Sequence, residues 1–275
     1  MKKIKSLFSN MNYLVLIIGT VITMYPVLWV LVSSFKGRRE FAKDYFFPAG
    51  KWHFEHYVQA WVDGNFGTYY FNSIFVTFFS VALGILFASL AAYAFTRLEF
   101  KGRNIIFYAF LATMMFPPQL GLIPLFLIFK KLHLLNTYWA LIIPYTNGAI
   151  PVSMFLLRGY FKQLPYELDE AAMVDGANHL TIFFKLILPM SKPVLATTFM
   201  MTALGTWNEY LLALTFIQDE ALKTLPVGII EFQNQLAVNY PMLMSGNVLS
   251  FLPMVLVFIF LQKYFIKGIT GGALD

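Results

Sequence analysis

The 275 residues are 59% hydrophobic and only 12% charged, with 30 Phe and 15 Tyr. A soluble domain carries roughly 25% charged residues, so too few are present to cover a water-facing surface. Disorder is excluded too, because disordered chains are charge-rich and poor in aromatics. The chain has no cysteine, which removes disulfides, thiolate metal sites and cysteine nucleophiles. A mean hydropathy of +0.65 completes the composition of an integral membrane protein. The net charge of +6 does not indicate nucleic-acid binding. Lys and Arg fall in short clusters between apolar runs, where the positive-inside bias puts them, rather than on one folded face.

A membrane helix needs about 20 mostly apolar residues. The first such run covers 13–35 and follows Lys2, Lys3 and Lys5. It exceeds the apolar core of about 7–15 residues in a signal peptide and no cleavage site follows, so it reads as a retained span. Further runs at 72–95, 104–129, 138–157, 193–217 and 246–262 bring the count to six. An even number puts both termini on one side. With that side cytoplasmic, the inner segments hold twelve Lys and Arg and the outer segments eight. Arg97, Lys101 and Arg103 in a short loop favour this orientation, while Lys36, Arg38 and Arg39 oppose it. The expected architecture is a single all-α domain over 1–275.

The spans carry marked positions. Gly84, Ala88 and Ala92 recur every four residues on the second, a thin stripe that lets another helix come close. Pro117, Pro118 and Pro124 lie in the third and Pro144 and Pro151 in the fourth. Each is either a packed kink or a bend that lines a pathway, since the freed carbonyl needs a partner.

Catalytic chemistry is sparse. No G-x-x-x-x-G-K-[ST] phosphate loop is present, so ATP is not bound by that route. His53 and His56 lack a third ligand nearby and read as loop residues. No Ser–His–Asp or paired-carboxylate pattern stands out. The chain reads as a non-enzyme with no cofactor or metal of its own. Glu209, within Trp207-Asn208-Glu209-Tyr210 on the fifth span, is the one acid inside the lipid. Its cost there leaves three roles open: a structural hydrogen bond or interface position, a polar contact in a solute path, or a proton-coupling carboxylate.

The segment 159–191 is the longest cytoplasmic stretch. Pro165 suits a helix start, and Glu167, Asp169 and Glu170 suit its positive end. Gly176 can adopt the left-handed turn that stops the helix. Asn178 then caps a second helix that Pro189 should end. On it Leu180, Phe183, Phe184 and Ile187 are spaced to share one face. Such a pair either fills a socket on another protein or rests on the membrane surface.

Glu170-Ala171-Ala172, three residues, Gly176, nine residues, Leu186, one residue and Leu188-Pro189 resemble the EAA loop of ABC-importer permeases. The family pattern is E-A-A-x3-G-x9-I-x-L-P, and Leu186 in the isoleucine slot is a mild departure. Asn72-Ser73, Ala91-Ala92-Tyr93-Ala94 with Arg97, Trp207-Asn208-Glu209 and Lys263 to Gly268 resemble carbohydrate-importer permeases. Among these the chain is similar to the six-span permease type of maltose importers. The Gly-rich tail to Asp275 is similar too, although Asp275 replaces the basic finish common there.

The resemblance implies a permease for sugars or oligosaccharides in the bacterial cytoplasmic membrane. Its partners would be a second, different permease, an ATPase dimer that holds ATP and Mg, an extracytoplasmic solute-binding protein, and lipid. Glu170, Ala171, Ala172, Asp175 and Gly176 would belong to the coupling helix that docks in the ATPase. Leu186, Leu188 and Pro189 would supply its apolar support, and the segment 217–245 would face the binding protein. Trp207, Asn208, Glu209 and Tyr210 would lie near the translocation path. The competing reading is a secondary transporter with Glu209 as its proton-coupling acid.

Overall fold

In the computed structural model the described residues are 2–44, 46, 50–235 and 239–270. The tail 271–275 lies outside them. They are helical, in order α1 (Lys2–Ser34), α2 (Arg38–Lys43), α3 (Glu55–Asp63), α4 (Phe66–Arg97), α5 (Arg103–Ala112), α6 (Leu122–Lys131) and α7 (Trp139–Phe161). There follow α8 (Glu167–Val174), α9 (His179–Ile182), α10 (Leu188–Met190), α11 (Lys192–Trp207), α12 (Leu211–Phe216), α13 (Leu225–Gln235) and α14 (Tyr240–Thr270).

Asn12–Ser34, Phe66–Arg97, Trp139–Phe161 and Tyr240–Lys263 are each long and apolar enough to cross a membrane. Two bent pairs bring the number to as many as six if each pair is one span: Arg103–Met115 with Pro118–Lys131 at 92°, and His179–Met190 with Lys192–Trp207 at 79°.

The residues form two compact units. One comprises 1–67 with 228–252. In it the end of α1 is held by polar bonds. Ser34 Oγ lies 2.5 Å from Tyr57 Oη, and the Ser34 carbonyl accepts from Ser245 Oγ at 3.1 Å. Lys36 is only 1% exposed and donates to the Asp44 carbonyl at 2.9 Å, so this cation is spent inside the chain. His53 pairs with Glu55 at 2.5 Å and His56 lies 3.3 Å from the Ser34 carbonyl. The His53 bond holds the Glu55 carboxyl below its ordinary value.

The second unit comprises 68–227 and 253–275. The small-residue stripe does what its spacing requires. Gly84, Ala88 and Ala92 are buried, and a Cβ on Gly84 would stand 2.7 Å from Ala149 Cβ on α7. Below it, Ala88 and Ala92 join Met154, Leu157 and Phe161 of α7 and Ile182, Phe183 and Ile187 in one apolar cluster.

Two expected spans are interrupted. Proline drives the preceding residue out of the helical region. With two in a row, Phe116 (φ −90°, ψ 125°) and Pro117 (φ −60°, ψ 127°) both become extended. The third span therefore bends through 92° rather than kinking. The fifth breaks between Trp207 and Leu211, where α11 ends and α12 begins. Pro144 and Pro151, by contrast, sit inside an unbroken α7.

Gly84→Val should overpack the α4–α7 contact and lower stability by about 1–3 kcal/mol. Thermal unfolding of the detergent-solubilised chain checks this, with Ala149→Gly in the same chain expected to recover part of the loss. No change in the single variant would show that the helices part at no cost.

Candidate functional site

The loop between α7 and α11 forms from local rules. α8 starts at Glu167, two residues after Pro165, with Glu167, Asp169 and Glu170 in its first turn. Gly176 has φ +83°, a region that favours glycine. There the Ala177 N–H reaches back to the Ala172 carbonyl at 2.9 Å, closing the helix end. Asn178 Oδ1 accepts from the Thr181 N–H at 2.9 Å and caps α9. Beyond Ile182 the helix widens into a π turn over Phe183–Ile187.

The buried face differs in part from the expected one. Ile182, Phe183 and Ile187 are buried, while Leu180 and Phe184 are exposed, unlike the face expected from regular helical spacing. Phe183 and Ile187 keep the expected face, and the π turn lies between them. It also carries the chain through Pro189, which has no N–H to give, to an end at Met190.

Glu170, Ala171, Asp175 and Gly176 are exposed and Ala172 is half-buried against the apolar cluster. Leu186 and Leu188 pack on that cluster, whereas Pro189 is exposed. Met173 and Val174 present an apolar tip, with Val174 87% exposed. The loop is tied to α4 by polar contacts. Arg97 Nε lies 3.1 Å from Asp169 Oδ2, and Tyr93 Oη lies 3.3 Å from His179 Nδ1. Burial pushes the Asp169 carboxyl up and the Arg97 guanidinium opposes that shift.

In the membrane-spanning part, a cavity of about 480 Å³ lies where the interruptions of the third and fifth spans face α7. Its lining includes Pro118, Gln119, Tyr145, Thr202, Thr206 and Glu209. Gly148 and Gly205 also line it, and a Cβ on either would meet no atom within 4 Å. Glu209 closes the break in the fifth span. Its Oε1 accepts from the Leu212 N–H at 2.9 Å, and its Oε2 accepts from the Ala213 N–H at 3.3 Å and Tyr145 Oη at 2.5 Å. The acid thus caps α12 and links it to α7.

The other three residues of that quartet are placed differently. The Trp207 ring packs edge-on to Tyr70 at 6.2 Å. Asn208 donates to the Leu204 carbonyl at 2.8 Å, and Tyr210 is half-buried beside the apolar cluster around Phe216. Tyr145 is the member that sequence reasoning missed; a tyrosine in an apolar run beside Pro144 was its only signal.

Near the start of α4, Asn72 Nδ2 donates to the carbonyls of Ala221 at 2.9 Å and Lys223 at 2.8 Å. Ser73 Oγ accepts from the Leu225 N–H at 2.8 Å, and Tyr69 Oη donates to Glu220. Lys223 donates to the same carboxylate at 2.5 Å. The Lys223 bond, then the Tyr69 bond, holds the Glu220 carboxyl below its ordinary value. The segment after α12 is therefore pinned to the start of α4.

Residues 81–271 match the family described as the binding-protein-dependent transport system inner membrane component. The chain belongs to that family. Among its relatives, the trehalose/maltose transport system permease protein MalG of Thermococcus litoralis is 38% identical over 274 residues, covering 95% of this chain and 96% of its own. The diacetylchitobiose uptake system permease protein NgcG of Streptomyces coelicolor is 35% identical over 267 residues, covering 96% and 88%. A chain in the crystal structure of a bacterial ABC transporter involved in the import of the acidic polysaccharide alginate has a TM-score of 0.80 at 28% identity. That likeness covers 94% of this chain and 97% of the other. In this member of the family the spans carry the exposed loop and the capped break described above.

Removing the carboxylate in Glu209→Ala should cost about 0.5–2 kcal/mol of stability for the lost cap, and Tyr145→Phe removes the donor of the same bond. Thermal unfolding of both single variants and the double variant should show coupling of about 0.5–3 kcal/mol. Strict additivity would mean that the Tyr145–Glu209 bond contributes nothing.

Proposed function

We propose that the chain is one permease domain of an ATP-driven importer for sugars or oligosaccharides in the bacterial cytoplasmic membrane. It pairs with a second, different permease. An ATPase dimer, holding ATP and Mg, docks on its cytoplasmic loop, and an extracytoplasmic solute-binding protein docks on the segment 217–245. Both termini are cytoplasmic. The observation that carries this reading is α8: a short helix stopped by a left-handed glycine, with its apolar tip exposed on a loop that membrane burial does not require. The relatives named for sugar uptake support the solute class.

The parts divide the work as follows. Glu170, Ala171, Ala172, Asp175 and Gly176 shape the docking element, while Leu186 and Leu188, leading into Pro189, seat it on the membrane core. ATP binding closes the ATPase dimer and displaces α8, and the spans rock between two states biased from that distant site. Solute passes the cavity lined by Glu209, whose carboxylate keeps the broken span in register. Trp207 and Tyr210 act around it by packing, and Asn208 through its bond to the Leu204 carbonyl. Burial of Lys36 supports the orientation, because one of the three cations that opposed it serves the fold.

Uptake of labelled oligosaccharide by cells with a collapsed proton gradient and maintained ATP should persist. Gly176→Val, which strains the positive-φ turn, should reduce that uptake while the complex still hydrolyses ATP. Uptake that vanishes with the gradient while ATP is intact would replace this reading with the secondary transporter coupled through Glu209.

A further inference from the structure

Two buried opposite charges join different elements at the cytoplasmic end of the second unit. Arg97 is the last residue of α4 and Asp169 lies in the first turn of α8; their side chains are 2% and 5% exposed and 3.1 Å apart. The same guanidinium donates through Nη2 to the Leu164 carbonyl at 2.9 Å and lies 4.1 Å over the Tyr166 ring. Tyr166 donates in turn to the Thr96 carbonyl at 2.9 Å. The chain leading into α8 is therefore fastened to the last turn of α4 by two hydrogen bonds, beside an ion pair whose facing atoms are close but not hydrogen-bonded.

Stability alone does not account for such a pair. A buried ion pair roughly breaks even against apolar side chains of equal volume. What it adds is geometry. The neighbouring α9 and its π turn hold α4 by apolar packing through Ile182, Phe183 and Ile187, and apolar packing is non-directional. α8 itself is largely exposed, with Glu170, Ala171, Met173 and Val174 all outward. A push on that surface would turn the helix in its loop unless something fixed its base.

α4 is suited to carry the push onward. It runs unbroken through 32 residues with no proline, about 48 Å at 1.5 Å per residue. Near its other end Asn72 and Ser73 hold the backbone of Ala221, Lys223 and Leu225. A rigid element fixed at both ends is a physical route for coupling between distant sites.

We propose that Arg97 and Asp169 are positioning residues that clamp α8 to α4, so that displacement of α8 by the ATPase travels along α4 to the outer segment 218–225. The proposal rests on the reading of α8 as the coupling helix.

The cysteine-free chain allows a reversible test. In the full complex, reconstituted in liposomes with the partners that co-purify with it, Arg97→Cys with Asp169→Cys breaks the clamp. A short thiol–thiol linker remakes it and reductant removes it again; the parental complex treated with the same linker is the reference. The expected result is intact assembly and basal ATP hydrolysis, with solute taken up per ATP reduced about tenfold. The linker should restore that ratio to within about twofold, and reductant should abolish the recovery. A purely structural role would not give reversible recovery in an assembled complex. Parental uptake per ATP without the linker, or no recovery with it, overturns the clamp. Should the double variant not assemble, Asp169→Asn is read by the same ratio: a fall with hydrolysis retained supports the clamp, and an unchanged ratio overturns it. A parental complex without ATP-dependent uptake refutes the importer reading itself, which separates the two failures.

Discussion

Inside a bilayer a backbone N–H or C=O has no water to bond, so a spanning chain stays helical unless protein or a cavity receives the exposed groups. Here the chain departs from that rule twice, at Phe116–Pro117 and between Trp207 and Leu211, and the rest of the membrane part is arranged around those departures. Both border one cavity against α7. Glu209 supplies the acceptor that the start of α12 lacks, and Tyr145 fixes the carboxylate from the opposite wall. An acidic side chain that looks expensive from sequence is the group that makes the break tolerable.

The loop around α8 solves the opposite problem. Under the proposed function it receives force from outside the membrane, so it cannot be buried, yet it cannot be loose. Gly176 and Asn178 shape it locally, apolar residues of the π turn seat it, and the polar contacts from Arg97, Tyr166 and Tyr93 fix its direction. α4 meets both ends, receiving these contacts at one terminus and holding the outer segment at the other through Asn72 and Ser73.

Much of this was legible in the sequence, for identifiable reasons. Apolar runs of spanning length are unambiguous, and the Gly84–Ala88–Ala92 stripe announced the close approach to α7 that the structure contains. The caps at Gly176 and Asn178 follow from residue chemistry that acts within a few positions. What escaped depends on geometry beyond that range. The 92° bend needs two successive prolines acting together, and the break at Asn208–Tyr210 contains no proline at all. Leu180 and Phe184 stay exposed while Ile182 is buried, because tertiary packing on α4 and α7 and not spacing alone selects the face. The Arg97–Asp169 pair joins residues far apart in sequence, and only the packing of α8 beside the end of α4 reveals it.

The central claim is that this chain works as one part of an ATP-driven assembly. Purification of the tagged chain from its native membranes in mild detergent, with partners identified by mass spectrometry, tests it most directly. The account predicts recovery of a second, different permease and an ATPase. Recovery of the chain alone, still folded and transporting solute in liposomes without ATP, would contradict it.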